Sequence, residues 1–289
     1  MGFHNHAAVN TSPSATPGLE TPADFQADSL DRRIAEYRNT GQENDALLEE
    51  FNQRTWQFPL LAAHRRHIEE HKLGFGYPGF HYLWWLILNK LKATEARDLL
   101  EIGVFKGQSV TAWVLIGQTM PGPFTVTGIS PLEGKPLPES WWKRRFKILF
   151  SRSFREQLRA GNFYPEDDYA QTIRNLMARF NLPPERLELI KGSSTDPAVT
   201  AKVAGRQFGL IYIDGDHAYD AVCADLRNYA PRVAPGGFLA MDDAACFLPG
   251  KTFWKGRESV SKACETIPPL GFENVINVGH IRLYQRCDG

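Results

Sequence analysis

The chain has little cysteine, no excess of charge of either sign and no long apolar run. Its four cysteines, Cys223, Cys246, Cys264 and Cys287, show no C-x-x-C spacing. The amino terminus also lacks the charged, then apolar, then small-residue order of a secretory signal, so a reducing cytoplasm is the expected location. Lys plus Arg equals Asp plus Glu at 33 each. No global field therefore draws the chain to nucleic acid or to an anionic surface, no nucleic-acid partner is expected, and any such binding would have to be local. The longest apolar run, around Tyr82 to Leu88, falls far short of the roughly 20 residues that span a bilayer. It reads as a buried helix, with no transmembrane segment.

What is present begins with a stretch rich in Ala, Thr, Pro, Ser and Asn over residues 1–27, which cannot offset its ordering entropy and is expected to be a flexible tail. Residues 28–95 then carry helical periodicity: Ser29 to Phe51 with a break near Gly41, Leu60 to His71, and Gly79 to Leu91. These form an expected helical cap ahead of the sheet, and a homo-oligomer formed through them is an open alternative. On the second of these helices His64, His67 and His71 share a face, and His67 to His71 spells H-x-x-E-H, the form of one zinc-peptidase motif. With no separate third ligand evident, a solvated His-rich face is the expected reading.

From residue 96 onward strands and helices alternate, which fits one α/β unit over 96–289. The stretch from Leu210 to Asp243 organises it. An apolar run (Leu210 to Ile213) ends in Asp214, Gly215, Asp216 and His217, and a second run (Phe238 to Met241) ends in Asp242 and Asp243. The helical segment between them is long enough for a parallel crossover. Ligands bind at the carboxyl ends of strands in such sheets, and two runs that end in acid on one rim suggest a divalent cation held by oxygen ligands. Acids at strand ends also cap helices, and Asp214 and Asp216 could both do so before Tyr219. The first strand, Asp98 to Ile102, carries Glu101 into Gly103, Phe105, Gly107 and Ser109. This E-x-G-x-x-x-G-x-S turn differs from the G-x-G-x-x-G that seats a pyrophosphate and leaves room for a side chain or a sulfonium-bearing tail. Further strands are expected at Phe124 to Ile129 and Leu187 to Lys191, with an antiparallel hairpin at Val275 to Val278 and Ile281 to Gln285. Between 131 and 166 lies an insertion whose segment Trp141 to Arg159 interleaves Lys and Arg with Trp and Phe. It reads chiefly as a lid packed over the sheet edge, with anion, membrane or polyanion contact as the other possibility.

The order of these motifs resembles the class I S-adenosylmethionine-dependent methyltransferases over about residues 76–286. More narrowly, the acids are similar to those of the metal-dependent O-methyltransferase branch, which includes catechol O-methyltransferase and the macrocin-type sugar O-methyltransferases. The resemblance implies a Rossmann-like, seven-stranded, mostly parallel sheet with an antiparallel C-terminal hairpin and helices on both faces. It places Glu101, Gly103, Phe105, Gly107, Ser109 and Asp214 by the methionine part of S-adenosylmethionine, Ser194 and Thr195 on the adenine side, and Gly76 and Tyr77 closing the pocket from the cap. The family's second strand usually ends in an acid that takes the ribose hydroxyls. Here Ser130 stands there, with Glu133 three residues on, so either Glu133 reaches back or the ribose is held differently. Asp214, Asp242 and Asp243 match the ligands of Mg²⁺ or another divalent cation, and His217 matches the base, a role suited to an imidazole. Asp216 either orients His217 or is a turn residue. The implied partner is a small-molecule hydroxyl acceptor, sugar-like or natural-product in kind. A nucleotide-dependent oxidoreductase, and a non-catalytic protein of the same fold that uses the basic helix, are the alternatives.

Overall fold

The computed structural model describes residues 22, 25, 27–134, 137–138, 140–152, 154–155, 158, 167–248 and 253–287; the expected tail over 1–27 lies almost wholly outside them. Helices α1 (Leu30–Glu36), α2 (Gly41–Gln57), α3 (Pro59–His71) and α4 (Gly79–Leu91) precede the sheet. The break expected near Gly41 falls just before it. Tyr37 turns to extended backbone, and the hydroxyl of Thr40 accepts from Glu43 N at 3.1 Å to start α2. There follow β1 (Asp98–Ile102), α5 (Gln108–Gly117), β2 (Thr125–Ser130), α6 (Trp141–Phe150), α7 (Tyr169–Arg179), β3 (Leu187–Lys191) and α8 (Pro197–Thr200). The chain closes with β4 (Phe208–Ile213), α9 (Tyr219–Tyr229), β5 (Val233–Met241), α10 (Glu258–Ala263), β6 (Phe272–Val278) and β7 (Ile281–Arg286).

The seven strands lie in the order β3-β2-β1-β4-β5-β7-β6. β1 to β5 pair in parallel, and β7 runs antiparallel to both of its neighbours. Every residue of β4 is buried, as a central strand covered on both faces must be. On one face, α9 and α10 supply Val222, Leu226 and Val260 to a core with Ile211 and Leu239. On the other, α1 to α5 and α7 share a single core with Leu99, Leu210 and Phe238. Helix α4 is apolar nearly all round and is buried continuously from Gly79 to Leu88, the mark of a helix enclosed on every side. Its Trp84 packs on Tyr212 of β4 and on Trp113 of α5, at centroid distances of 4.9 and 5.5 Å. The amino-terminal helices are tied down by Arg33, which meets Asp28 at 2.7 Å and Glu50 at 2.6 Å, while Tyr82 donates to Asp28.

Helix α6 departs from expectation. It ends at Phe150 rather than near Arg159, which lies outside the described residues. Arg155 Nη1 donates to the carbonyls of Ile148 and Leu149 at 2.8 and 3.0 Å and so closes the helix end. No residue of α6 is buried, so it is not a packed lid. Cations alternate with its aromatics and would lose hydration if both faces were covered. Among the described residues no helix is long and apolar enough to cross a membrane.

Candidate active site

Backbone bonds continue the ladder one step beyond the strand ends. Gly103 N donates to Ile129 O, Asp214 N to Ile102 O and Asp242 N to Ile213 O, at 2.8 to 3.0 Å. The residues that follow β1, β4 and β5 are thereby levelled on one rim. Gly103, at φ +101°, allows this: a Cβ there would sit 2.0 Å from the carbonyl oxygen of Asp214, so only glycine lets the two turns touch. Gly107, at φ +94°, opens α5.

A cavity of about 890 Å³ lies on this rim, lined by Gly76, Tyr77, Glu101, Gly103, Phe105 and Ser109, by Ser130 and Ser194, and by Asp214, His217, Asp242 and Asp243. Two expected site residues are not in its wall. Gly107 faces Ile173, and Thr195 shares a hydroxyl contact of 3.0 Å with Ser193. The segment bearing Gly76 and Tyr77 is pinned across the cavity by Arg65, which donates to Gly76 O at 2.8 Å, and by Gln108, which donates to Phe75 O at 3.0 Å. Phe105 lies between Phe75 and Tyr169.

Glu101 is buried at the end of β1, and its Oε2 has no hydrogen-bond partner. Burial, assisted by the charge of Asp242, pushes its carboxyl up to about 8 against the hydrogen bonds from Ser109 and Val110 N. A cationic or hydrogen-bonding ligand in the cavity would satisfy that oxygen. The Ser130 hydroxyl donates to Val104 O at 2.7 Å and accepts from Leu132 N at 3.3 Å, so it braces the turn. Glu133 also lines the cavity and pairs with Lys191 at 2.8 Å.

The acidic rim holds one residue that the sequence pattern did not single out. β7 pairs antiparallel with β5, Met241 opposite Arg282, so the turn before β7 falls at the carboxyl end of β5. Ala244 N donates to His280 O at 2.8 Å and fixes that turn against Asp243. His280 Nδ1 stands 3.2 Å from both Asp242 Oδ1 and Asp243 Oδ1. These are ion-pair distances without the alignment of a hydrogen bond. The available signal was the hairpin itself, since an antiparallel β7 beside β5 must place its preceding turn on this rim. Burial alone would lower the His280 pKa, but the two carboxylates overcome it and carry the ring up to about 9. Tyr77, Phe80 and Trp254 surround the imidazole.

His217 Nε2 stands 3.2 Å from Asp243 Oδ2. Asp216 instead accepts from Ala218 N at 2.8 Å ahead of α9; it is the turn residue, and Asp243 is the carboxylate that meets the imidazole. Asp243 itself sits at φ +52°. Burial and the charges of Asp242, Asp243 and Glu101 hold Asp214 well above the usual carboxylate range. Burial pushes Asp242 up as well, but His280 outweighs it and leaves that carboxyl lowered. Asp243 is raised, chiefly by burial. This donor set fits a divalent cation. Ligand atoms of Asp242, Asp243 and His280 lie within 4.8 Å of one another, Asp242 Oδ1 lacks a hydrogen bond, and Asp214 adjoins Asp242. A cation would offset the burial and mutual repulsion that now raise Asp214 and Asp243.

The histidines of α3 behave otherwise than expected. His64 is fully buried rather than solvated, because α4 and α5 cover that side of α3. Its Nδ1 meets His81 Nε2 and its Nε2 meets the Thr111 hydroxyl, both at 2.9 Å. His67 and His71 stack on each other at 4.0 Å, with His71 exposed.

The sequence profile of a family described as a methyltransferase domain matches residues 100–244. No curated protein matches the chain in sequence. Among solved structures the chain is similar to the O-methyltransferase NovP, at 17% identity over 72% of this chain and 79% of that one, with a TM-score of 0.52. It is also similar to CalS11, a calicheamicin methyltransferase, at 15% identity over 89% of this chain and 97% of that one, with a TM-score of 0.50. At these identities the likeness is one of fold.

Proposed function

The chain belongs to this family, the class I S-adenosylmethionine-dependent methyltransferases, and from that premise we propose that it methylates a hydroxyl of a small-molecule acceptor with the help of a divalent cation. One observation carries the reading: the Glu101 turn, the acids Asp214, Asp242 and Asp243, and His217 all line one cavity. Family membership sets aside the oxidoreductase alternative. Residues 96–289 would be the catalytic unit, with 28–95 as its cap and 131–166 as an insertion at its rim.

In this reading Glu101, Gly103, Phe105, Ser109 and Asp214 bind the methionine end of S-adenosylmethionine. Ser194 lies on the adenine side, and Gly76 and Tyr77 close the cavity. With Ser130 bracing its own turn, Glu133 is the better candidate for the ribose hydroxyls, steadied by Lys191. Asp214, Asp242 and Asp243 would hold the cation, joined by His280 once its ring gives up a proton, and the cation when bound supplies the Lewis acidity that lowers the pKa of an acceptor hydroxyl. The acceptor oxygen takes the methyl group as the sulfur–carbon bond breaks, S-adenosylhomocysteine leaves, and His217 removes the hydroxyl proton. Asp243, 3.2 Å from that ring, would stabilise the imidazolium that forms. The aromatic wall of Tyr77, Phe80 and Trp254 keeps water from the transfer.

Mn²⁺ binding followed by electron paramagnetic resonance tests the cation site without an acceptor. We expect saturable binding to the wild type and its loss in Asp242→Asn. Unchanged affinity in that variant would remove the cation from the mechanism.

A further inference from the structure

Helix α6 gathers more exposed large apolar side chains than any other element of the described structure, and its pattern specifies what covers them. Trp142, Phe146, Leu149 and Phe150 follow one another at helical spacing along one face. They are 74%, 64%, 65% and 73% exposed. Lys143 and Arg145 flank that face on either side, Lys147 lies beyond Lys143, and the back carries Arg144 together with Trp141 and Ile148, which are 54% and 39% exposed. Between Trp141 and Phe150 there are four cations and no acid, in a chain whose formal net charge is zero. The positive charge is therefore local to this helix.

The helix is carried by an insertion whose base is fixed. Glu133 and Asp168 form an antiparallel bridge where the insertion leaves and rejoins the fold, and Glu133 and Tyr169 both line the cavity. The insertion that carries the amphipathic helix thus begins and ends at the mouth of the site. Its exposed face, with Trp142, Phe146, Leu149 and Phe150 toward one side and lysine and arginine at the flanks, matches a helix that lies in a bilayer interface. The rings would sit at headgroup depth while the cations meet lipid phosphates and carboxylates. A protein partner would have to match the flanking cations with carboxylates, and a nucleic acid would leave the broad apolar face in water. An anionic lipid surface satisfies both features at once.

We infer that α6 docks the protein on anionic membrane surfaces, with the mouth of the cavity beside the bilayer. This inference does not depend on metal-assisted methyl transfer. Flotation of the full chain with vesicles tests it, using phosphatidylcholine alone and phosphatidylcholine mixed with phosphatidylserine. Binding is expected to the mixed vesicles, to weaken as salt is raised, and to be nearly absent with phosphatidylcholine alone. Each cation near such a surface is worth about fivefold in affinity, so Lys143→Gln with Arg145→Gln should weaken binding about thirtyfold. Trp142→Ala with Phe146→Ala should abolish it. Because all these side chains are exposed, both variants should keep the wild-type melting temperature and affinity for S-adenosylhomocysteine, which separates lost docking from lost folding. The inference would be overturned by no flotation with the mixed vesicles, by flotation indifferent to both pairs of substitutions, or by sedimentation showing a dimer that Trp142→Ala dissociates. Tight binding of a DNA duplex without vesicle binding would overturn it in favour of a polyanion.

Discussion

Acid should withdraw stability from this protein through two histidines that play no part in its chemistry. The Thr111 hydroxyl donates to Gly107 O at 2.6 Å, so it can only accept from His64 Nε2–H. His64 Nδ1 must in turn accept from His81 Nε2–H. This chain of bonds sets both tautomers and leaves both rings neutral. Burial holds the pKa of His64 down to about 3 and that of His81 well below its ordinary value. Unfolding releases both rings to titrate at about 6.5, so the unfolded state takes up protons that the native state refuses. Their contribution is intact above that pH and is lost as the pH falls below it. Between pH 7 and pH 5 each ring removes about 2 kcal/mol and the pair about 4. With a urea slope of about 3 kcal/mol per molar for a chain of this size, this pair alone would lower the midpoint by rather more than about 1 M. Glu101 and His280, whose pKa values are raised in the folded state, change stability in the opposite sense over this range. The quantity to measure is therefore the difference between the wild type and His64→Gln/His81→Gln, from tryptophan fluorescence in urea at both pH values. Parallel losses in the two proteins would refute the reasoning.

Two further substitutions address the cofactor side. Glu101→Gln keeps the shape and removes the carboxyl's capacity to ionise against a cationic ligand, so calorimetry should find S-adenosylhomocysteine bound about ten- to a hundredfold more weakly, the worth of a charged hydrogen bond; unchanged affinity would place Glu101 outside the binding site. Gly103→Ala puts a Cβ against the Asp214 carbonyl at a backbone angle that disfavours any side chain. It should lower stability by about 3 kcal/mol or more and impair cofactor binding together with folding, and a wild-type melting temperature would contradict the close contact of the two turns.

Much of this arrangement was legible because the relevant signals are local. The bounds of β1, β3 and α4 follow from apolar runs with clear ends, and Asp214, His217, Asp242 and Asp243 share a cavity because strand ends in a parallel sheet share a rim. What was missed depends on which element covers which. The position of His280 depends on the pairing of β7 with β5, and its role becomes visible only once that register is known. His64 and His67 have the same local pattern, but α4 and α5 cover only the first. The amphipathic pattern of α6 is equally consistent with a packed lid and with a bare helix, because periodicity names a face and not its partner. Ser130 looked like a weak ribose contact, and only the positions of Val104 and Leu132 reveal that its hydroxyl is already engaged.

The central claim is that methyl donor and cation meet in one cavity at the carboxyl ends of β1, β4 and β5. Crystals grown with S-adenosylhomocysteine and Mn²⁺ test it directly through the anomalous signal of the metal. The account predicts a single peak within ligand distance of Asp242 and Asp243, with the homocysteine end of the nucleoside against the Glu101 turn. A metal bound elsewhere, or an Asp214 side chain turned out of the cavity in that complex, would contradict it.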